Sequence, residues 1–248
     1  MPMKGGPRAS RRKYYFQAVL SILMYAISIW GHVITGKKTN KTKVTRMFRP
    51  LKIRTAFAYR TIGEEALDVI SGIPPIHLLV AERMEIQGGA DKKKMQEETL
   101  IKWQEEWENA ESATRCKWTK RLIRNVSAWC GRRHGELSFQ LTQLLSGHGC
   151  FGRYLYLIGK RTNESCVICN AEVDNAQHAF FDCPDFLDRR DRLERDLNDK
   201  FSPDTVVNLL LESKEKWRII TTYVHEVNAA RQKRITEMTT NGDKGAGP

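Results

Sequence analysis

Between Cys166 and Cys183 the sequence reads Cys166-Val-Ile-Cys169, then eight residues to His178, then four to Cys183. No other stretch restricts the fold as much. Two cysteines with two residues between them can turn a tight knuckle around one ion, and a later His and Cys can close a tetrahedron. Zn²⁺ favours that soft N/S shell and imposes no d-electron geometry of its own. The 248 residues hold 6 Cys and 6 His, so four ligand-type side chains inside 18 positions form a concentrated cluster. The spacing resembles known zinc-site spacings without matching any one of them. The competing reading is two small buried cysteines, a satisfied histidine and an unrelated cysteine. If zinc binds, four protein ligands leave no open coordination position, and the site holds a fold together.

The rest of the composition says where such a chain works. Cysteine is sparse and does not form a disulfide framework, so a reducing interior compartment, nuclear or cytoplasmic, is expected. The formal charge of +12 is unevenly placed: residues 1–60 carry 14 Lys and Arg and no acidic residue, while the other 188 carry 27 against 29. A block this one-sided suits a polyanion such as RNA or DNA, or an anionic membrane face. The same quarter holds an uncharged run over residues 14–36, flanked by Arg11-Arg12-Lys13 and Lys37-Lys38. Its length could span a bilayer, but Gln17, Ser21, Ser28, Gly31 and His32 dilute it, and Leu20, Leu23, Ile27 and Trp30 recur at the spacing of a buried helix. A membrane anchor over residues 14–34, carrying a helical zinc-binding interaction domain, is therefore the alternative reading. No cleavable signal is recognisable.

Taken in order, residues 1–13 read as a disordered basic tail, 36–45 as a basic loop, and 48–59 as a basic helix. Thr61-Ile-Gly-Glu64 reads as a capping box opening a helix that Gly72 ends. Pro74-Pro75 starts another, which stops at Gly88-Gly89. A long helix follows with Leu100, Trp103, Trp107 and Ala110 on one stripe. Residues 114–133 then read as a helix with Trp118, Leu122, Val126 and Trp129 on another. From Ser112 to Arg133 there is no acidic residue, and Arg115, Lys117, Lys120, Arg121, Arg124, Arg132 and Arg133 are all cationic. Such a face is either solvated cover over a tryptophan core or a phosphate-contacting surface. Short helices are expected at 139–145 and around His178, and longer ones at 186–197, from Val206, and through Trp217, Ile220, Val224 and Val227. The tail from Thr239 reads as loose. The fold class is mainly α with a small Cys-Cys-His-Cys zinc knuckle.

Several stretches together resemble one family. Ser21-Ile-Leu-Met-Tyr25 through Trp30, Arg49-Pro-Leu-Lys-Ile-Arg54, Ala58-Tyr-Arg-Thr61, Glu65-Ala-Leu67, Gly72-Ile-Pro-Pro75 and Leu78-Leu-Val-Ala-Glu82 look like the region just past the polymerase core of non-LTR retrotransposon reverse transcriptases. Leu145-Ser-Gly-His-Gly-Cys-Phe151, Tyr154-Leu155 and the Cys166/Cys169/His178/Cys183 box resemble its C-terminal end, closest in flavour to the arthropod type-1 element that inserts into ribosomal RNA genes. The likeness covers residues 16–200. Ala26 departs from it, standing where the family usually has Gly.

The resemblance implies target-primed reverse transcription, in which nicked DNA primes copying of the element's RNA. The family's polymerase palm uses clustered aspartates to hold two metal ions. This chain has no Asp-Asp pair, and its first acidic residue is Glu64. The expectation is therefore a non-catalytic C-terminal part, inactive alone, whose partners are RNA and/or DNA and a polymerase core on the same polyprotein or another chain. Its layout would be a thumb-like helical region (14–90), a helical linker (91–160), the zinc-knuckle region (161–200), C-terminal helices (201–238) and a loose tail (239–248). In this family the apolar stretch packs beside the polymerase core, which argues against a membrane span. Zinc is expected on Cys166, Cys169, His178 and Cys183. Phosphate contacts are expected from Arg121, Arg124, Arg132, Arg133, Arg153, Lys160 and Arg161, and base stacking from Tyr154 or Tyr156. His148, between two glycines, reads as a turn or packing residue.

Overall fold

The computed structural model describes residues 7–25, 27–109 and 113–242, the side chains of 113–115 and 238–242 excepted. Ala26 and Ala110 thus lie outside the described residues. The elements run α1 (Ala9–Met24), α2 (Ile27–Gly36), α3 (Lys38–Ala56), α4 (Glu64–Ser71), α5 (Ile76–Gln87), α6 (Lys92–Asn109), α7 (Ala113–Leu122), α8 (Val126–Gly131), α9 (Phe139–Ser146), α10 (Gly152–Leu157), α11 (Leu187–Leu197), α12 (Val206–Glu212) and α13 (Lys214–Gly242). Among the described residues there is no strand, and the mainly α class holds. The chain divides into two compact units, Met1–Phe139 and Gln140–Pro248. Residues 140–160, grouped by composition with the linker, fall in the same unit as the cysteine cluster.

In the first unit the uncharged run supplies the core. Phe16, Leu20, Ile27 and Ile34 of α1 and α2 bury against Phe48, Ile73, Ile76 and Val80, and the rings of Phe16 and Phe48 meet edge-on at 5.9 Å. Each such side chain removed from water contributes roughly 1.5–3 kcal/mol. The continuous anchor of the alternative reading does not form: α1 and α2 are bent by 97°, and no described helix alone is long and apolar enough to cross a membrane. Tyr14 and Ile22 of α1, Tyr25 just past its end and Ile29 of α2 are exposed.

Five local expectations are corrected. The helix starts at Ala9, so residues 9–13 are not a disordered tail, and α13 runs on to Gly242 through the segment expected to be loose. The basic stretch 38–45 is helical, because packing against α1 and α2 outweighs the weak propensity of its Thr and Asn residues. Thr61 is not the N-cap of α4. Gly63 is the N-cap, and Glu64 instead takes Arg49 at 2.5 Å. The expected helix over 114–133 breaks between α7 and α8. There Gln104 of α6 accepts from Val126 N at 2.8 Å and donates to Arg124 O at 2.9 Å, while Trp107 donates to Ile123 O. Those bonds satisfy the backbone groups that the break leaves open. Gly72 does end α4, in the left-handed region at φ +67°.

In the second unit α9, α11, α12 and α13 bury Leu141, Leu144, Leu145, Leu193, Leu197, Val206, Leu210, Ile220, Val224 and Val227 around Phe151 and Phe180. Phe181 stacks on Phe201 at 4.7 Å, and Phe201 meets Tyr223 at 5.3 Å. This core carries the loop between α10 and α11 on which the ligand-type residues sit.

Candidate metal centre

The first half of the cluster is a knuckle. Asn170 N donates to Cys166 O at 3.1 Å and Cys166 N to Ala171 O at 2.8 Å, closing a turn whose left-handed corner is Asn170, at φ +60°. Asn tolerates that conformation better than most residues. The turn aims backbone at sulfur: Ile168 N points at Cys166 Sγ from 3.5 Å.

The second half is a π-helical turn, His178–Asp182. Asn175 starts it by accepting from His178 N at 2.8 Å. Cys183 N then returns to His178 O at 2.7 Å, and this wider i→i+5 closure swings Cys183 back toward the imidazole. Two side chains hold the turn from behind: Tyr223 of α13 donates to Phe180 O at 2.6 Å, and Arg190 of α11 to Cys183 O at 2.6 Å.

The result brings all four expected ligands together. One ligand atom from each of Cys166, Cys169, His178 and Cys183 lies within 4.8 Å of the others, with Cys169 Sγ 3.3 Å from His178 Nε2. Sulfurs on a zinc ion with bonds of about 2.3 Å stand about 3.8 Å apart, so the cluster is near tetrahedral size. Cys166 and Cys183 are buried. Burial, then the neighbouring Cys166, pushes the Cys183 thiol up to about 12, and burial raises the Cys166 thiol too. Burial lowers His178, favouring the neutral imidazole that binds metal. A divalent cation reverses the thiol penalty, because the charge that repels a second thiolate is what attracts the ion. Three sulfurs and a nitrogen fit Zn²⁺ by donor type, number and spacing.

The cationic residues singled out from the sequence are divided between the two units. Arg121, Arg124 and Arg133 are exposed in the first, at and beyond the end of α7. Arg132 is packed over the Trp129 ring, 4.1 Å from its centre, and donates to the Trp129 carbonyl; burial lowers it to about 10. In the second unit Lys160 is exposed, and Arg153 lies 3.8 Å from Glu164. Arg161 donates to Ser165 O at 2.9 Å and to Asn163. Tyr154 is buried with its ring stacked on His148, whereas Tyr156 is 46 % exposed. Of the two tyrosines, only Tyr156 presents a ring to solvent.

Two curated proteins carry the comparison. Over 223 residues the chain is 25 % identical to the "Retrovirus-related Pol polyprotein from type-1 retrotransposable element R1 4" of Nasonia vitripennis, a match covering 80 % of this chain and 55 % of that protein. Over 249 aligned positions it is 22 % identical to the "Putative 115 kDa protein in type-1 retrotransposable element R1DM" of Drosophila melanogaster, covering 91 % of this chain and 24 % of that one. The chain is a relative of R1-type retrotransposon proteins. It spans about half the length of the first R1 relative and about a quarter of the second. No protein-family model matches it, and no solved structure does.

Sequence reasoning missed two residues beside this cluster, Asp174 and Arg231, whose side chains are fully buried next to Cys166. A signal for the second was present. Ile220, Val224 and Val227 form an apolar stripe on α13, and Arg231 takes its next position, where a charge has to find a buried partner.

Proposed function

We propose that this chain is a non-catalytic C-terminal part of a retrotransposon reverse transcriptase, binding template RNA and/or target DNA during target-primed reverse transcription. The observation that carries the reading is the assembly of Cys166, Cys169, His178 and Cys183 within 4.8 Å in a relative of R1-type Pol polyproteins. Zinc held by these four residues would pin the knuckle to the π turn and supply no open site for chemistry. Zinc knuckles present unstacked bases to aromatic rings and phosphates to Lys and Arg. Tyr156 with Lys160 and Arg153 fits that pattern in the second unit, as do Arg121, Arg124 and Arg133 in the first. A polymerase core, on the same polyprotein or another chain, is the natural partner. None of the six cysteines is in a disulfide, which suits a nuclear or cytoplasmic setting.

Metal analysis of the purified protein and filter retention of structured RNA across a salt series test this together. One zinc per chain is expected, with RNA affinity falling steeply as ionic strength rises. Replacing Arg121 and Arg124 by Gln should reduce the log–log salt slope by about one for each phosphate no longer neutralised. No zinc, together with no RNA retention at low salt, would refute the reading; an unchanged slope would remove those two arginines from it.

A further inference from the structure

Beside the cluster lies an ion pair cut off from solvent. The side chains of Arg231, on α13, and Asp174, in the loop before the π turn, are both 0 % exposed and in contact. Asp174 Oδ2 also accepts from Gly152 N at 2.7 Å, where α10 begins. Arg231 Nη2 also donates to Cys150 O at 2.8 Å, and Nη1 reaches Cys166 Sγ at 3.7 Å. The guanidinium lies 5.5 Å from the centre of the Phe151 ring. One planar fork thus joins the C-terminal helix, the start of α10 and the first sulfur of the cluster.

Stability alone explains this pair poorly, since a buried ion pair is often no better than apolar residues of the same size. Its partners suggest another role. A cation bound by three thiolates and a neutral imidazole leaves the ligand shell with a net negative charge, and a guanidinium donating to one sulfur offsets it. Asp174 fixes the fork by taking Nη2, which leaves Nη1 turned to Cys166. Groups that orient and polarise metal ligands in this way commonly change affinity 10–100-fold when replaced.

Resting on the zinc reading, we infer that Arg231, held by Asp174, is a positioning residue of the metal centre. It donates to the Cys166 thiolate and so makes the docking of α13 and the binding of metal depend on each other. Coupling of this kind is reciprocal: whatever loosens α13 at Arg231 weakens the metal, and metal loss loosens α13 there.

The full chain tests this in two measurements on wild type, Arg231→Met and Arg231→Lys, with Val227→Ala as a control that disturbs the α13 core without touching sulfur. Zinc affinity is read by competition with a chromophoric chelator, and the thiolate-to-metal charge-transfer band is read after Co²⁺ replaces zinc. Arg231→Met should bind zinc 10- to 100-fold more weakly, with the band moved to longer wavelength as a sulfur loses its donor. Arg231→Lys, which keeps the charge without the fork, should recover part of both. Val227→Ala should leave the band in place. If Arg231→Met does not fold, Arg231→Lys decides: lowered affinity with a moved band supports the inference, and wild-type values for both overturn it. Zinc binding and an unmoved band in every variant would overturn it while leaving the zinc reading intact. Wild type that takes up neither metal overturns both.

Discussion

His148 sits between Gly147 and Gly149 with its ring on Tyr154, the two centres 4.8 Å apart. Burial lowers it to about 4, from an ordinary value near 6.5. Because the folded value is the lower one, the unfolded chain takes up a proton first as pH falls. Stability is therefore full above about pH 6.5 and is lost progressively down to about pH 4, by at most about 3 kcal/mol. His148→Phe, which keeps a ring there, should flatten that acid limb. Urea midpoints compared between the two proteins in the same buffers from pH 7 to pH 4.5 read the effect, and parallel curves would count against it. Cys169→Ser tests the cluster at the same scale. On the proposed zinc reading it should raise protease sensitivity in the second unit to the level that a chelator gives the wild type, because metal binding would then be coupled to folding. The four ligands were legible because their spacing is local and chemically distinctive. Asp174 and Arg231 were not: the apolar stripe of α13 marks Arg231 as buried, but nothing near it in sequence names a partner 57 positions away, and nothing near Asp174 marks it at all.

At the scale of elements, helices were foreseeable where an apolar stripe met a clear stop, as at Gly72 ending α4. They were misread where distant residues decide. The break between α7 and α8 is written in Gln104 and Trp107 of α6, outside the segment that breaks. The capping box failed for the same reason, as Glu64 is drawn to Arg49 on α3. One turn further on, Lys52 of α3 is wholly buried against Asp68 of α4. Asp68→Ala leaves that ammonium in the core without its closest carboxylate, and should destabilise the first unit by about 3–5 kcal/mol. The double change Lys52→Met with Asp68→Leu should restore much of the loss. Chemical denaturation of the three proteins measures both, and equal stability of the single variant and wild type would mean that the pair does not clamp α3 to α4.

Across the whole molecule, excess positive charge and the Cys-Cys-His-Cys cluster belong to different units. Residues 1–139 carry 26 Lys and Arg against 13 acidic residues, and residues 140–248 carry 15 against 16. Long-range attraction to a polyanion therefore arises in the first unit, while the ligand cluster lies in a nearly neutral one. Neutralising Arg153 and Lys160 should accordingly slow RNA association at low salt less than neutralising Arg121 and Arg124, a comparison that stopped-flow mixing can make. Sequence patterning exposed this polarity at once, yet the unit boundary near 139 was invisible to it, because α9 crosses that point without a Pro- or Gly-rich linker.

The support given by α13 has a practical edge. A synthetic peptide covering residues 161–200 would contain every ligand, yet leave behind Tyr223, which steadies the Phe180 carbonyl, and the fork of Arg231. Its grip on metal would misreport that of the intact chain. A nonsense mutation between codons 184 and 231 would keep every ligand-type residue yet take away the back wall of a centre lying some fifty residues earlier.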